Sequence, residues 1–343
     1  MFIVWRGFLY NQINNQINNQ IEAILSQYDL EVKEVIKGRG TYICDTDKGM
    51  RLLIGFRSAK EKGEALRIYL KALEEEGFPV EQIEVNKNGE TVTIDEITGE
   101  GFVLKEYISG EELNVNRIEE LKEAAALLAK YHNVASKIAA DGIAKDVDIQ
   151  DVILDEKERH YREIVKVRNY IRNRKKKSDF ERIYLKHHEK MLQTAKESIF
   201  ILDANRAEQP SSCVCHGEYN QHNVVFTEDG WRMIHFENCV YRWCIFDLAN
   251  FLRKMQEKND WDILMGKELL DSYTKVRALS KSEYEKLYGL LLFPEKFWKV
   301  TNHYMNSRKT WISEKDIEKL KKVIAQESKR LAFIEYLFAI EKE

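Results

Sequence analysis

Residues 215–250 hold the side chains best suited to chemistry. His216, Glu218, Asn220, His222 and Asn223 precede a short apolar run at 224–226, and His235, Glu237 and Asn238 follow or end a second run at 233–236. Between the runs lie Glu228, Asp229 and Gly230. An Asp-Gly pair between apolar runs is a hairpin signal, because the turn needs backbone conformations that glycine adopts without strain. The hairpin therefore carries acid, amide and imidazole groups at its open ends, where a rigid scaffold usually presents functional groups. An acid that accepts a hydroxyl proton, an amide five residues later and a second acid after the next strand is the order phosphoryl transfer requires. No single residue in the set is specific; their order is.

Elements on either side must position this hairpin. Ile13, Ile17 and Ile21 are four apart, one stripe of a helix over residues 10–25. Residues 30–57 read as three antiparallel strands with turns at Gly38/Gly40 and Asp45/Gly49. A helix over 58–77 is expected, with Ser58 as N-cap, Glu61 completing a capping box and Leu66, Tyr69, Leu70 and Leu73 as its buried stripe. Strands are expected over 80–85, 91–97 and 102–108. From residue 116 onward the pattern is helical: 117–139, 147–173, 179–200, then, beyond the hairpin, 246–258, 263–277, 281–293, 295–310 and 314–340. Pro294 is placed in the first turn of its helix. The resulting fold class is α+β, two-lobed. Residues 1–29 form an N-terminal helical segment, 30–108 a small antiparallel-sheet N-lobe with one helix, and 109–343 a helical C-lobe containing the 216–237 hairpin. A hinge falls at 106–110.

Composition narrows the function classes. The 343 residues are 44% hydrophobic and 32% charged with a net charge of -3, which offers no bulk argument for nucleic acid or membrane binding. No apolar run reaches the roughly 18 residues a membrane-spanning helix needs. Residues 1–5 are apolar, but no basic region or small-residue cleavage site follows, so a secretory signal is not expected. Five cysteines are present; Cys213/Cys215 and Cys239/Cys244 lack zinc-knuckle spacing and read as reduced thiols. The basic run at 172–177 reads as a solvated helix end, with docking of an acidic partner as the alternative. His132, near a helix end, His216 and the C-terminal aromatics Trp298, Tyr304 and Trp311 read as packing residues.

With these residues in view, the chain resembles the aminoglycoside-phosphotransferase and choline-kinase type of kinase-like fold, and within it the CotS-type spore coat proteins of spore-forming bacteria. The resemblance is carried by the segments 216–223, 234–237, 247–254 and 293–298, supported by 38–42 and 104–110. It extends over about residues 28–335. It implies a protein-kinase-like fold, ATP and Mg²⁺ as ligands, and other spore coat proteins as partners, with synthesis in the cytoplasm and residence in the spore coat. It implies Glu218 and Asn223 as the catalytic pair, and Asp247 as a structural acid bonded to the loop backbone. Gly38, Gly40, Glu106, Ile108, His235 and Glu237 would meet the nucleotide, and Asn223 and Glu237 the metal.

Three positions depart from the pattern of active relatives. Glu218 stands where they carry Asp, and a displacement of about an ångström can cost roughly a hundredfold in rate. His235 stands at their metal-holding Asp, whereas Mg²⁺ prefers hard oxygen ligands. Ile54 stands at their phosphate lysine on the third strand, with Arg57 the nearest cation in sequence. Together these imply a degenerate site in a structural or binding, pseudokinase-like component of the spore coat. The alternative is an active ATP-dependent phosphotransferase acting on a small-molecule hydroxyl or a coat protein, with Glu218 as base.

Overall fold

The computed structural model describes residues 20–38, 40–144, 148–204, 208–307 and 313–339. The chain is α+β: antiparallel strands dominate its N-terminal part and helices its C-terminal part. It divides into two compact units. The first runs to Glu112 and adds Lys137–Ala144 and Asn223–Cys239; the second comprises Leu113–Ser136, Lys145–His222 and Val240–Glu343. The hairpin segment Asn223–Cys239 is thus built into the first unit, although helical segments surround it in sequence.

In the first unit, strands β1 (Val32–Lys37), β2 (Thr41–Thr46) and β3 (Arg51–Phe56) form an antiparallel meander, as the sequence predicts. Helix α1 (Lys60–Glu75) follows. Its N-cap is Ala59, with no side-chain cap bond. Ser58 lies one residue too early, and Glu61 falls at the second helical position, so the predicted capping box does not form. The predicted stripe Leu66, Tyr69, Leu70 and Leu73 is buried. Strands β4 (Ile83–Glu84) and β5 (Thr93–Ile94) are two residues each, shorter than expected, and both pair with β6 (Gly101–Glu106). The sheet order is β1-β2-β3-β6-β4. Leu53, Phe102 and Leu104 on one face of the sheet pack with Ile21, Ile24, Leu25 and Tyr28. Those last residues include the helical turn over 20–25, the described end of the predicted first helix; Ile13 and Ile17 lie outside the described residues.

A short strand β7 (Glu111–Glu112) pairs with the hairpin. Gly110, just before it, is required by close approach: a Cβ there would lie 2.6 Å from the Phe226 carbonyl oxygen.

The second unit holds α2 (Ile118–Ala135), α3 (Ile149–Asn173), α4 (Asp179–Asp203) and the ribbon strand β8 (Ser212–Cys215). The hairpin strands β9 (Val224–Thr227) and β10 (Gly230–Met233) belong to the first unit and pair in register Thr227 to Gly230 and Val224 to Met233. The second unit continues with β11 (Val240–Trp243), α5 (Ile245–Lys258), α6 (Ile263–Thr274), α7 (Lys281–Leu292), α8 (Glu295–Asn306) and α9 (Glu314–Ala339). Boundaries follow local chemistry. Ser178 and Ser280 form capping boxes with Glu181 and Glu283, and Asp148 and Asp262 cap α3 and α6. Pro294 is the N-cap of α8, one position before the predicted one. Ile164, Val167, Phe180, Tyr184, Met191 and Phe297 lead the helical core. Arg172 and residues 174–176 are exposed, as a solvated helix end requires. Trp298 stacks on His160 with ring centroids 3.4 Å apart, and Tyr304 stacks on Phe180; Trp311 lies outside the described residues.

Candidate phosphotransferase site

The first unit holds a buried ionic cluster that starts on β6. Phe102 and Leu104 face the core, so strand alternation turns Val103 and Lys105 to the opposite face. Lys105 pairs in register with Leu52, and Val103 with Ile54, so Ile54 and Lys105 share a face. Strand β3 carries no cation on that face; β6 supplies one. Lys105 is fully buried, and its ammonium lies 2.8 Å from Glu81 Oε1 and 3.1 Å from His235 Nδ1 and makes a direct ion pair with Glu237. Lys105 donates to all three, so His235 Nδ1 acts as an acceptor.

Backbone geometry closes the cluster. After β10 the chain leaves the ladder, and His235 takes φ 69°, a left-handed conformation uncommon outside glycine. The turn aims the His235 N–H at Glu81 Oε1 at 2.7 Å and the Phe236 N–H at the same oxygen at 3.3 Å. A short 3₁₀ turn, Phe236–Asn238, then carries Glu237 to Lys105. The second apolar run predicted at 233–236 therefore ends as a strand at Met233. Burial alone would raise the Glu237 carboxyl, but the Lys105 charge and the His235 contact hold it at about 2. Burial works against the Lys105 ammonium, and Glu81 and Glu237 overcome it to raise its pKa.

The second unit holds the loop after β8. Asp247, fully buried on α5, accepts the His216 N–H at 2.6 Å and the Gly217 N–H at 3.0 Å. This is the backbone-holding role expected of it. Gly217 takes φ 81°, which turns the chain so that Glu218 is exposed while Tyr219 is buried. The Tyr219 hydroxyl donates to the Ala124 carbonyl at 2.7 Å. Asn220 bridges the loop, donating to the Glu218 carbonyl at 2.6 Å and accepting the His222 N–H at 3.0 Å. Lys254, a turn and more along α5 from Asp247, is pulled down to about 8 by burial and by Arg253 and Lys299, against the opposing charges of Glu218 and Asp247. Beside the loop, a cavity of about 420 Å³ is lined by Asn220 and Gln221 and by Lys254, Lys258, Lys296 and Lys322 among others.

The remaining predicted site residues are placed as follows. Asn223 is buried at the start of the hairpin, its carbonyl accepting the Ile234 N–H at 3.1 Å. Gly38 and Gly40 make the β1–β2 turn: the Gly38 N–H donates to the Thr41 carbonyl, and Gly40 takes φ 78°. Glu106 is exposed and its N–H donates to the Gln82 carbonyl at 2.9 Å; Ile108 is half-buried. The structure thus brings His235 and Glu237 together and adds two residues that the sequence did not single out, Lys105 and Glu81. A lysine opposite the core face of an apolar strand was the available signal for the first. Glu81 had none, because its partners are 24 and more than 150 positions away.

Antiparallel N-terminal strands, C-terminal helices, a His-Gly-acid loop and a hairpin define a kinase-like fold. The chain belongs to the phosphotransferase enzyme family, whose model matches residues 20–290. It is similar to spore coat protein S of Bacillus subtilis (strain 168), 24% identical over 337 residues, covering 92% of this chain and 93% of that protein. Among solved structures it is similar to an aminoglycoside phosphotransferase from Alicyclobacillus acidocaldarius, with TM-score 0.78 and 20% identity over 93% of this chain and 95% of that one. It is also similar to an amicoumacin kinase in complex with AMP-PNP, Ca²⁺ and Ami, with TM-score 0.61 and 12% identity over 92% and 95%. At these identities the structural likenesses establish the fold.

Proposed function

We propose that the protein is a kinase-like spore coat component with a degenerate phosphotransferase site, acting as a binding or structural protein. The coat assignment rests on the likeness to spore coat protein S along nearly the whole chain. The degenerate-site reading rests on one observation: His235 stands where the family resemblance places a metal carboxylate, and Glu237, the acid on the same segment, is joined to Lys105. This donor set fits Mg²⁺ poorly. The cation prefers carboxylate and water oxygens, the imidazole is not one, and a divalent ion would have to displace a buried ammonium from Glu237. Partners on this reading are other coat proteins and, by the family resemblance, a nucleotide. The five lysines against one glutamate around the loop-side cavity favour acidic partners. Among the described residues no helix is long and apolar enough to cross a membrane.

The test is turnover. Purified protein with ATP and Mg²⁺ or Mn²⁺ is expected to show no steady phosphotransfer or hydrolysis above a Glu218→Ala control. Steady turnover that the control lacks overturns the reading. One observation favours a second reading, an active phosphotransferase: Lys105 supplies, from β6, the buried cation that β3 lacks, and it carries two carboxylate partners. Glu218 then serves as base, and Asn223 with Glu237 holds the metal. Thermal stabilisation by ATP that requires Mg²⁺ supports this second reading; stabilisation indifferent to metal, or none, supports the first.

A further inference from the structure

Away from the ionic cluster, the second unit gathers three cysteines and a histidine in its core. Cys213 and Cys215 are two apart on β8 and so point to one face. The antiparallel partner β11 runs beside them, with Cys213 opposite Arg242 and Cys215 opposite Val240. Cys244 follows β11 directly, its N–H donating to the Ser211 carbonyl at 2.9 Å, and its Sγ lies 2.9 Å from Cys213 Sγ. Helix α2 brings His132 over the same face, docked by the Tyr131 hydroxyl donating to the Val214 carbonyl at 2.6 Å. All four residues are at most 1% exposed.

The imidazole supplies the second observation. His132 Nδ1 lies 2.7 Å from the Tyr273 hydroxyl. Its Nε2 is buried and has no hydrogen-bond partner. The nearest carboxylate, Asp247, is 3.6 Å away and already accepts two backbone N–H groups. A buried polar atom without a partner is costly and rare. With Nδ1–H donated to Tyr273, Nε2 carries a lone pair. Its ligating atom and the sulfurs of Cys213 and Cys215 all lie within 4.8 Å of one another.

We propose that His132, Cys213 and Cys215, completed by Cys244, form a closed structural site for a soft tetrahedral cation of the zinc class. Zinc binds thiolate sulfur at about 2.3 Å and imidazole nitrogen at about 2.0 Å, four-coordinate in structural sites. Ligand atoms then lie about 3.3–3.8 Å apart, so the group of His132, Cys213 and Cys215 contracts modestly on binding, while the Cys213 and Cys244 sulfurs, 2.9 Å apart, open. Tyr273 has the part of the outer partner that fixes a ligating histidine's tautomer. The cation would tie the β8–β11 ribbon to α2 directly beneath the loop held by Asp247. Sequence spacing did not reveal it, because His132 lies about 80 positions before Cys213 and the cysteine pairs lack knuckle spacing.

Cobalt(II) titration of the full, reduced, metal-stripped chain tests the site. One equivalent is expected to bind with the thiolate-to-cobalt charge-transfer and tetrahedral d–d absorption of a cysteine-rich site, and zinc is expected to displace it. Cys213→Ser and Cys215→Ser should each weaken binding at least tenfold, while Cys239→Ser, a buried cysteine outside the group, leaves it intact. The wild-type titration stands alone if a variant fails to fold. A folded, reduced chain without a thiolate–cobalt band overturns the proposal. So does a band that survives both substitutions, or a Cys213–Cys244 disulfide in freshly isolated protein.

Discussion

Lys105 and Glu237 form a buried ion pair between the strand next to β3 and the turn after the hairpin, 132 positions apart in the chain. Glu81 joins the same ammonium. One cation is thus shared by two carboxylates in the interior, where isolated charges are expensive. On the proposed reading the pair bears on function, because it engages Glu237, the acid proposed to meet a metal. It matters for stability because it links segments that share no local sequence.

Removing the cation should expose this. Lys105→Met leaves Glu81 and Glu237 buried without their counter-charge, a loss on the order of 3–5 kcal/mol. Urea denaturation measures it. The triple variant Lys105→Met, Glu81→Gln, Glu237→Gln should recover much of the loss, because no uncompensated charge remains.

Glu237 also sets a pH dependence. Its carboxyl is held at about 2 against an ordinary 4.5: burial would raise it, and Lys105 and His235 lower it. A carboxyl depressed by folding contributes stability above its unfolded value and loses it as pH falls through the folded one. Stability should therefore fall between about pH 4.5 and 2, and Glu237→Gln should flatten this limb. Thermal melts across that range decide it; an unchanged acid limb in the variant refutes the assignment.

Asp247 should be structural. Asp247→Ala removes the acceptor of the His216 and Gly217 amides, at about 1–3 kcal/mol for each buried donor left unpaired. Hydrogen exchange at residues 216–218 should accelerate, with helices remote from the loop little affected.

Lys254 is destabilising while charged. Its amine is pulled down to about 8 from 10.5, first by burial and then by Arg253 and Lys299. The unfolded chain binds that proton more tightly, so stability should rise with pH between about 8 and 10.5. Lys254→Met should raise the melting temperature at neutral pH by a few degrees and abolish the rise.

Restoring the aspartates of the family pattern tests whether the site is degenerate. The double variant Glu218→Asp, His235→Asp should gain Mg²⁺-dependent stabilisation by ATP and at least about tenfold in ATP turnover, since positioned groups of this kind typically contribute factors of about 100 or more. No gain would mean that these two positions are not what limits the site.

Helices from 118 to 339 were legible to within a few residues, because apolar periodicity and a proline are local signals. The hairpin was legible from its Asp-Gly turn. Ser58 misled, because a capping box depends on where the first turn begins and tertiary packing began it one residue later. Strands β4 and β5 were overread: apolar alternation continues beyond the two residues each that pair with β6.

By itself the sequence determined the element order, the family resemblance and the positions read as departing from that family's pattern, Glu218, His235 and Ile54. All of these are written in residue type and short spacing. Only the tertiary structure decided which charges meet. Strand pairing turned Lys105 onto the face of Ile54, a left-handed His235 aimed two amides at Glu81, and helix packing set His132 against Cys213 and Cys215. Side chains scores of positions apart leave no periodic trace in the sequence. Burial then makes those meetings energetically decisive, because a charge or a lone pair in the interior must find its partner within a few ångströms.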